Sequence, residues 1–403
     1  MKTTAMALSA ILAASAFAAE PERKAPRPAR PSQFATMRPM QQAKPKDFGK
    51  LADGRETRIW RLSGVGGLVV DVSDYGGRIV RVYAPDRHGN LADVALGWNT
   101  AAEYEKYGFS MGTLIGRYAN RIKDGKFSLD GQEYTLPINE EKAARHCNLH
   151  GGPDGWDKKV WNARPFGRGT IRSIEFSCVS ADGEMGFPGE VNCKVIYAVL
   201  PNNTLTITYE AKTDKPTVIN LTHHGYWNLA GEASGSVLDQ ELMIAADEYT
   251  KTDAGLIPLA NAPVKGTGFD FTSPRKIGAM ADWMAKEPSL APMNNWYDHN
   301  FFLRDNGKAK GKGVKLAAVM RDPVSGRKME VWTTEPCMQM YGAQNMTDEL
   351  PAKAAGKKLC KFAGVALETQ HAPDSPNHPE FPSTVLRPGE TFRSHTEYRF
   401  SAE

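Results

Sequence analysis

Residues 204–209 read Thr-Leu-Thr-Ile-Thr-Tyr, and this strict alternation of polar and apolar side chains predicts a β-strand with one buried face. Residues 127–136 add a hairpin signal. Phe-Ser-Leu and Tyr-Thr-Leu flank a segment containing Asp130-Gly131, a pair favoured in tight two-residue turns. Further strand-like runs lie at residues 79–83, 328–334, 338–341, 364–370 and 397–400.

Helical patterns are confined to two short stretches, residues 101–107 and 277–286. Strands therefore do not alternate with long helices, which argues against a parallel α/β sheet. No short internal repeat is visible either, which argues against a propeller. The pattern predicts an all-β fold, a large antiparallel β-sandwich in which two sheets pack face to face as one domain.

The composition is that of a globular chain with an unusual N-terminal arm. Of 403 residues, 41% are hydrophobic, enough for a sizeable core. Residues 1–46 hold eight Lys/Arg and two Glu, a charge of +6, so the remainder carries 4 − 6 = −2. Since the predicted domain has no basic excess, we expect no nucleic-acid partner.

The arm itself divides into two parts. Residues 1–18 have the features of a cleavable signal peptide: Lys2, a short apolar run, and Ala16-Phe17-Ala18 before the cleavage point. An uncleaved membrane anchor is the alternative, but the apolar run is shorter than the roughly 20 residues that span a bilayer. Residues 19–46 are rich in Pro and basic residues and predict a disordered linker. We expect a domain at 47–403, no membrane span, and a periplasmic or secreted protein.

Five cysteines are too few for a disulfide scaffold, and they form no Cys-x-x-Cys metal pattern. Cys178 and Cys193 flank a Gly/Pro-rich turn, so they are expected to face each other if the flanking segments are adjacent antiparallel strands. An oxidising compartment would permit a disulfide there, and two unbonded thiols are the alternative.

Chemically interesting residues concentrate in five short segments: Gly116-Arg-Tyr-Ala-Asn-Arg-Ile122, Asn148-Leu-His-Gly-Gly152 with Gly155-Trp-Asp157, Asn220-Leu-Thr-His-His-Gly-Tyr-Trp-Asn-Leu229, Tyr297-Asp-His-Asn-Phe301 and Ala366-Leu-Glu-Thr-Gln370. Glu368 is the least ordinary residue among them. Its strand face also carries Gly364 and Ala366, whose small side chains predict a hollow beside the carboxylate.

Together, these segments and their order resemble the aldose 1-epimerase (galactose mutarotase) family from about residue 50 to the C-terminus. The resemblance implies a large antiparallel β-sandwich and an isomerase that interconverts the α and β anomers of free aldohexoses such as glucose and galactose. It implies Glu368 as general base, His224 as general acid and His150 as a further catalytic histidine. It also implies a set of sugar-binding residues: Asn120, Arg121, Asp298, Tyr226 and Gln339.

Opening a hemiacetal requires one proton to leave the C1 hydroxyl and one to reach the ring oxygen, so no cofactor and no metal are expected. His223 departs from the Asn that many relatives have, and as a strand neighbour of His224 it should point the other way. We expect a sugar as the partner, and either a monomer or a homodimer.

Three rival functions remain open at this stage. A non-catalytic carbohydrate-binding sandwich would have no need to keep Glu368 together with both histidines. An epimerase of a phosphorylated hexose would need extra basic residues to hold the phosphate. A lyase or glycosidase would use a pair of carboxylates such as Glu368 and Asp298, which leaves the histidines without a role.

Overall fold

The computed structural model describes residues 44–305 and 313–403. The predicted signal peptide at 1–18 and residues 19–43 of the predicted linker lie outside these ranges. The linker prediction ends one residue too late, because Lys46 already pairs with Ile59 in an antiparallel ladder. None of the helices within the described ranges is long and apolar enough to cross a membrane.

Antiparallel strands dominate the fold, as predicted, and form three larger sheets. The first sheet follows chain order: β1 (Lys46–Lys50), β2 (Glu56–Ser63), β3 (Val69–Ser73), β4 (Ile79–Pro85) and β5 (Leu91–Asp93). The second sheet has nine strands in the spatial order β12 (Asn162–Arg168), β13 (Ile171–Ser180), β14 (Val191–Leu200), β15 (Thr204–Thr213), β29 (Phe392–Ala402), β25 (Arg327–Thr333), β24 (Lys315–Arg321), β19 (Glu241–Ile244) and β22 (Arg275–Lys276).

The third sheet has six strands in the spatial order β18 (Tyr226–Trp227), β27 (Val365–Gln370), β26 (Cys337–Tyr341), β23 (Asp298–Leu303), β20 (Ala246–Thr252) and β21 (Pro258–Pro263). Small ladders complete the described part of the chain: β10 (Glu140–Lys142) with β11 (Arg145–Leu149) and β7 (Arg121–Lys123), β8 (Lys126–Leu129) with β9 (Gln132–Thr135), β16 (Thr217–Val218) with β28 (Val385–Leu386), and β17 (Thr222–His223) with β6 (Leu114–Ile115).

Helical segments are few and short within the described residues. They are α1 (Ala101–Tyr107), α2 (Ala281–Lys286) and five 3-10 turns at Trp156–Lys158, Glu184–Gly186, Ile277–Met280, Pro288–Met293 and Ser375–Asn377. α1 begins with a capping box, in which Glu103 N–H donates to Thr100 Oγ1 and Thr100 N–H donates to Glu103 Oε2. The helix predicted at 277–286 is instead a 3-10 turn followed by α2, because Met280 leaves the α region with φ −110° and ψ 20°.

The Asp130-Gly131 turn joins β8 to β9 as the sequence predicts. Both residues have positive φ, 51° and 82°, which a type I′ turn requires. Phe127 and Tyr134 lie opposite each other in this hairpin and their rings stack with centroids 5.2 Å apart. Cys178 and Cys193 are likewise directly opposite in the β13–β14 ladder, and both are free thiols.

The six-stranded sheet has two chemically different faces, and this alternation positions the functional site. Met338, Met340, Val365 and Leu367 point into the main hydrophobic core, which they share with apolar residues of the nine-stranded sheet. The alternate residues of the same strands point the other way. Asn300, Gln339 and Glu368 lie directly opposite one another there, so the outer face carries a polar row across three strands.

Candidate active site

A cleft of about 230 Å³ lies over this polar face. It brings together seven of the eight residues singled out from the sequence: Asn120, Arg121, His150, His224, Tyr226, Asp298 and Glu368. Gln339 lies beneath the cleft wall and donates from Nε2 to Asp298 Oδ1 at 2.6 Å. Residues separated by up to 248 positions (368 − 120) therefore converge on one small space.

Glu368 lies at the centre of the polar row on β27, and only 2% of its surface is exposed. Its Oε1 is 3.5 Å from Nε2 of His224. Its Oε2 is buried without a hydrogen-bond partner among the described residues, although a buried carboxylate oxygen normally has one. The carboxylate lines the cleft, so a ligand there can hydrogen-bond to it.

His224 is held by its backbone, which leaves its ring free to act. Its N–H donates to Thr113 O at 2.9 Å, and its carbonyl accepts from Gly112 N–H at 2.8 Å. Gly112 has φ +66°, and a Cβ there would lie 2.2 Å from Ile79 O, so this anchor requires glycine. The His224 ring lies against Tyr226 with centroids 4.9 Å apart.

His223 points away from the cleft, as predicted from strand alternation. Its Nε2 lies 3.0 Å from Gly112 O, and its ring lies in the core between Tyr197 and Tyr398 with centroids 6.4 Å from each. The histidine at this position therefore has a packing role and does not reach the cleft.

His150 and Asn120 hold each other at the end of the β7–β11 ladder. His150 N–H donates to Asn120 O at 3.0 Å, and Asn120 N–H donates back to His150 Nδ1 at 3.2 Å. Both residues have positive φ, 55° and 64°. Because Nδ1 accepts this bond, the neutral ring must carry its hydrogen on Nε2. His150 thus offers a donor from Nε2, and its ring meets that of His224 edge to face with centroids 5.4 Å apart.

A chain of alternating charges forms one wall of the cleft. Arg121 donates from Nε to Glu140 Oε2 at 2.6 Å, and its Nη2 lies 3.7 Å from Asp298 Oδ2. Arg145 pairs with the other oxygen of Glu140 at 2.7 Å. Burial alone would raise the pKa of Glu140, but the two guanidinium groups lower it to about 2. Each charge in this wall is therefore compensated by a neighbour.

The central residues, by contrast, are driven toward their uncharged forms. Burial raises the pKa of Glu368 well above its ordinary value, and the charge of Asp298 adds to that effect, while Arg121 opposes it. Burial lowers the pKa of His224 to about 4 and also holds that of His150 well below its ordinary value. A raised carboxyl and a lowered imidazole side by side form a pair that keeps one proton over a wide pH range.

His150, His224 and Glu368 each offer a ligand atom within 4.8 Å of the others, which is close enough for a metal ion. Their surroundings do not fit one. A metal-binding imidazole normally donates its second N–H to an acceptor. Here His150 Nδ1 accepts from a backbone amide, and His224 Nδ1 is buried without a partner among the described residues. The three groups are better suited to handling protons.

Several cleft residues were not identified from the sequence: Phe109, Ser110, Glu140, Arg145, Leu149, Tyr341 and Asn345. Tyr341 could have been identified from the sequence, because it is two residues from Gln339 on a predicted strand and therefore lies on the same face. Glu140 and Arg145 lie on the short hairpin β10–β11, and nothing in their spacing indicates a contact with Arg121.

The expected hollow beside Glu368 is also narrower than predicted, because Leu96 and Trp227 O pack against Gly364.

Comparison with known proteins gives a consistent result. Residues 58–399 match the family model described as aldose 1-epimerase. The chain is 39% identical over 335 residues to galactose mutarotase of Rattus norvegicus, which covers 83% of this chain and 91% of the relative. It is 36% identical over 354 residues to aldose 1-epimerase of Escherichia coli K12, covering 87% of this chain and 97% of the relative.

Solved structures agree with the sequence comparisons. An aldose epimerase homologue from C. elegans superposes with a TM-score of 0.73 at 28% identity, covering 84% of this chain and 96% of the other. A galactose 1-epimerase from Lactobacillus acidophilus has a TM-score of 0.75 at 23% identity, covering 89% and 99%, and shares the fold.

The cleft geometry predicts the protonation of its histidines. At pH 6 we expect both His150 and His224 to be uncharged, with the His150 hydrogen on Nε2 because Asn120 N–H donates to Nδ1. Long-range ¹⁵N–¹H NMR of the imidazole rings measures both properties, and His150→Asn and His224→Asn variants assign the signals. A His224 ring that titrates near the ordinary value of about 6.5 would contradict this view of the cleft.

Proposed function

The chain belongs to the aldose 1-epimerase family, and from that premise we propose that its cleft opens and closes the ring of free aldohexoses such as glucose and galactose by acid–base chemistry. The activity is that of an isomerase that interconverts the α and β anomers of aldoses. The observation that carries the mechanism is the contact of 3.5 Å between Glu368 Oε1 and His224 Nε2, two groups with oppositely shifted pKa values.

Ring opening transfers two protons through the sugar. Glu368 removes the proton of the C1 hydroxyl, the O1 electron pair forms the C1=O1 double bond, and the C1–O5 bond breaks. O5 takes the electron pair of that bond together with a proton from His224. The open-chain aldehyde then rotates about C1–C2. Closure follows the same steps in reverse on the other face, so both groups regain their starting protonation state.

The proton count of the pair suits this cycle. In the sugar-free cleft the shared proton lies on Glu368. Opening proceeds from the form of the pair in which that proton has moved to His224 and Glu368 is ionised, and after opening both groups are again uncharged. The two states hold the same number of protons, and burial favours the uncharged one. The opening step is favoured once the charged form is reached, because charge is then removed from a buried site as the ring opens.

The remaining cleft residues are proposed to orient the sugar. Asp298 is held by Gln339 and lies near Arg121, so it presents a fixed acceptor for hydroxyl groups. Arg121 and Asn120 offer donors on the same wall, while Tyr226 supports the His224 ring and adds an apolar surface. His150 is proposed to donate from Nε2 to a sugar oxygen, which would hold C1 next to the catalytic pair.

The rival functions are not favoured by this arrangement. Arg121 and Arg145 share Glu140, and Arg121 also lies 3.7 Å from Asp298, so two carboxylates compensate the two guanidinium groups and neither is left to hold a phosphate group. A binding module gains nothing from burying Glu368 beside His224, because the unpaired carboxylate oxygen lowers the free energy of unfolding. A glycosidase mechanism would leave the paired histidines without a function.

Removal of either proton-transfer group tests the mechanism. We expect Glu368→Gln and His224→Asn each to lower kcat for mutarotation by about 10²–10⁴-fold while sugar binding survives, because both amides retain hydrogen bonding but carry no transferable proton. Polarimetry on freshly dissolved α-D-glucose and α-D-galactose measures the rate, and calorimetry measures binding.

The matched control is Glu210→Gln on the nine-stranded sheet, where the side chain is 44% exposed. This variant should relax the sugar at the wild-type rate and to the same equilibrium rotation. A near-normal rate in Glu368→Gln or in His224→Asn would remove that residue from the mechanism.

The pH dependence follows from the pair. The active form holds one proton, and a second proton adds only as the pH falls through the lowered His224 pKa of about 4. We therefore expect kcat/KM to be lost below about pH 4 and to stay constant through neutral pH, with an alkaline decline set by loss of the shared proton. Polarimetric kcat/KM against pH measures this profile, and an acidic limb centred near pH 6.5 would contradict it.

We also propose that the protein is exported to the periplasm or secreted. The proposal is supported by the composition of residues 1–18, a lysine followed by a short apolar run and an Ala-x-Ala site. N-terminal sequencing of protein expressed in a Gram-negative host is expected to find Ala19 as the first residue, in the periplasmic fraction or the medium. Recovery of the chain from the cytoplasm with residues 1–18 retained would overturn it.

A further inference from the structure

A second cavity, of about 380 Å³, lies on the opposite face of the six-stranded sheet from the catalytic cleft. The two spaces meet at β23, where consecutive side chains point to opposite faces. Asp298 lines the cleft, and its neighbour His299 lines the second cavity. The size of this cavity lies within the range of small-molecule binding sites.

The walls of the cavity are aromatic and rigidly held. Tyr249 and Phe269 stack with centroids 4.2 Å apart, and Trp283 meets Phe269 edge to face at 5.9 Å. Trp283 also packs directly on Gly268, where an added Cβ would lie 2.3 Å from the indole. The Gly268 carbonyl is fixed in turn by Arg275 and by Tyr297. Phe269 is itself 2% exposed, so these contacts fix Trp283, which stays partly exposed, as the preformed apolar surface of the cavity.

His299 supplies a ring donor that has no partner among the described residues. Only 3% of its surface is exposed, and its Nδ1 accepts from Asp298 N–H at 3.2 Å. The neutral ring therefore carries its hydrogen on Nε2, which has no hydrogen-bond acceptor among the described residues although the ring lines the cavity. Burial lowers the pKa of His299 to about 3, so the ring stays uncharged. This donor is available to a ligand in the cavity that brings an acceptor.

Polar groups of both signs surround the aromatic surfaces. Lys251 and Glu287 bring opposite charges, and Thr267 and Ser289 add hydroxyl groups. Glu287 is oriented by Ser289, whose hydroxyl donates to Glu287 Oε1 at 2.8 Å. The rim thus offers hydrogen bonds without a net charge, which does not favour a phosphate or another strongly ionic ligand.

We propose that this cavity is a second binding site, for a neutral pyranose sugar, separate from the catalytic cleft. A pyranose has apolar C–H faces that can lie on Trp283, and a belt of hydroxyl groups around its edge. One hydroxyl oxygen accepts from His299 Nε2, and another donates to Glu287. A purely apolar ligand would leave the His299 donor unpaired. The proposal does not depend on the catalytic mechanism.

Binding stoichiometry tests this site on the full-length mature chain. Calorimetric titration with anomerically equilibrated D-glucose is expected to give two sugars per chain for the wild-type protein. Trp283→Ala should bind one sugar per chain while its polarimetric kcat/KM for mutarotation stays at the wild-type value, since Trp283 does not line the cleft. Unchanged activity also reports that the variant is folded.

The matched control is Trp332→Ala, which removes another partly buried tryptophan, on β25 of the nine-stranded sheet, and should leave both binding events intact. Glu287→Gln is a milder second variant and is expected to weaken the second event about tenfold, as loss of one charge-assisted hydrogen bond implies. If Trp283→Ala loses activity, the Glu287→Gln variant tests the second sugar site in its place. A single sugar per wild-type chain, or two undiminished events in Glu287→Gln, would overturn the proposal.

Discussion

Burial of Glu368 on one face of a sheet is the constraint on which the rest of the site depends. The opposite face of β27 packs Val365 and Leu367 into the main core, so the strand cannot shift without exposing them. The carboxylate is thereby fixed at 2% exposure, where an unpartnered charge is unfavourable. The raised pKa of Glu368, on which its proposed role as a base depends, follows from the packing of its neighbours in the strand.

The surroundings of Glu368 keep this burial compatible with catalysis. A permanently charged partner in direct contact would lock the carboxylate in its ionised form, whereas the structure places Arg121 against Glu140 and Asp298 instead. The direct neighbour of Glu368 is His224, which is buried and favours its neutral form. The charged residues of the cleft wall therefore balance one another, and the proposed proton exchange involves a different pair, Glu368 and His224. This separation allows one cleft to hold a polar sugar firmly and still move protons within it.

Much of this could be predicted from the sequence, for identifiable reasons. Strands were recognisable because side chains alternate, and the hairpin at Asp130-Gly131 because few other pairs accept positive φ at both positions. The cleft residues in the five segments were found through family resemblance. Glu140 and Arg145 were not, since their contacts join segments far apart in sequence: Arg121 with Glu140, and Arg145 with the Pro292 carbonyl at 2.6 Å. Local sequence patterns do not indicate which residues of separate segments come into contact.

His299 is another residue whose location was not predicted from the sequence. In the sequence it is one residue of Tyr297-Asp-His-Asn-Phe301, and no role was assigned to it from the sequence. Strand alternation places it on the opposite face, where it lines a different aromatic cavity. The backbone N–H of Asp298 nevertheless donates to its ring, so the residue proposed to hold sugar hydroxyls in the cleft is anchored by a side chain of the second cavity. A hydrogen bond between adjacent residues thus connects two spaces that the sheet otherwise keeps apart.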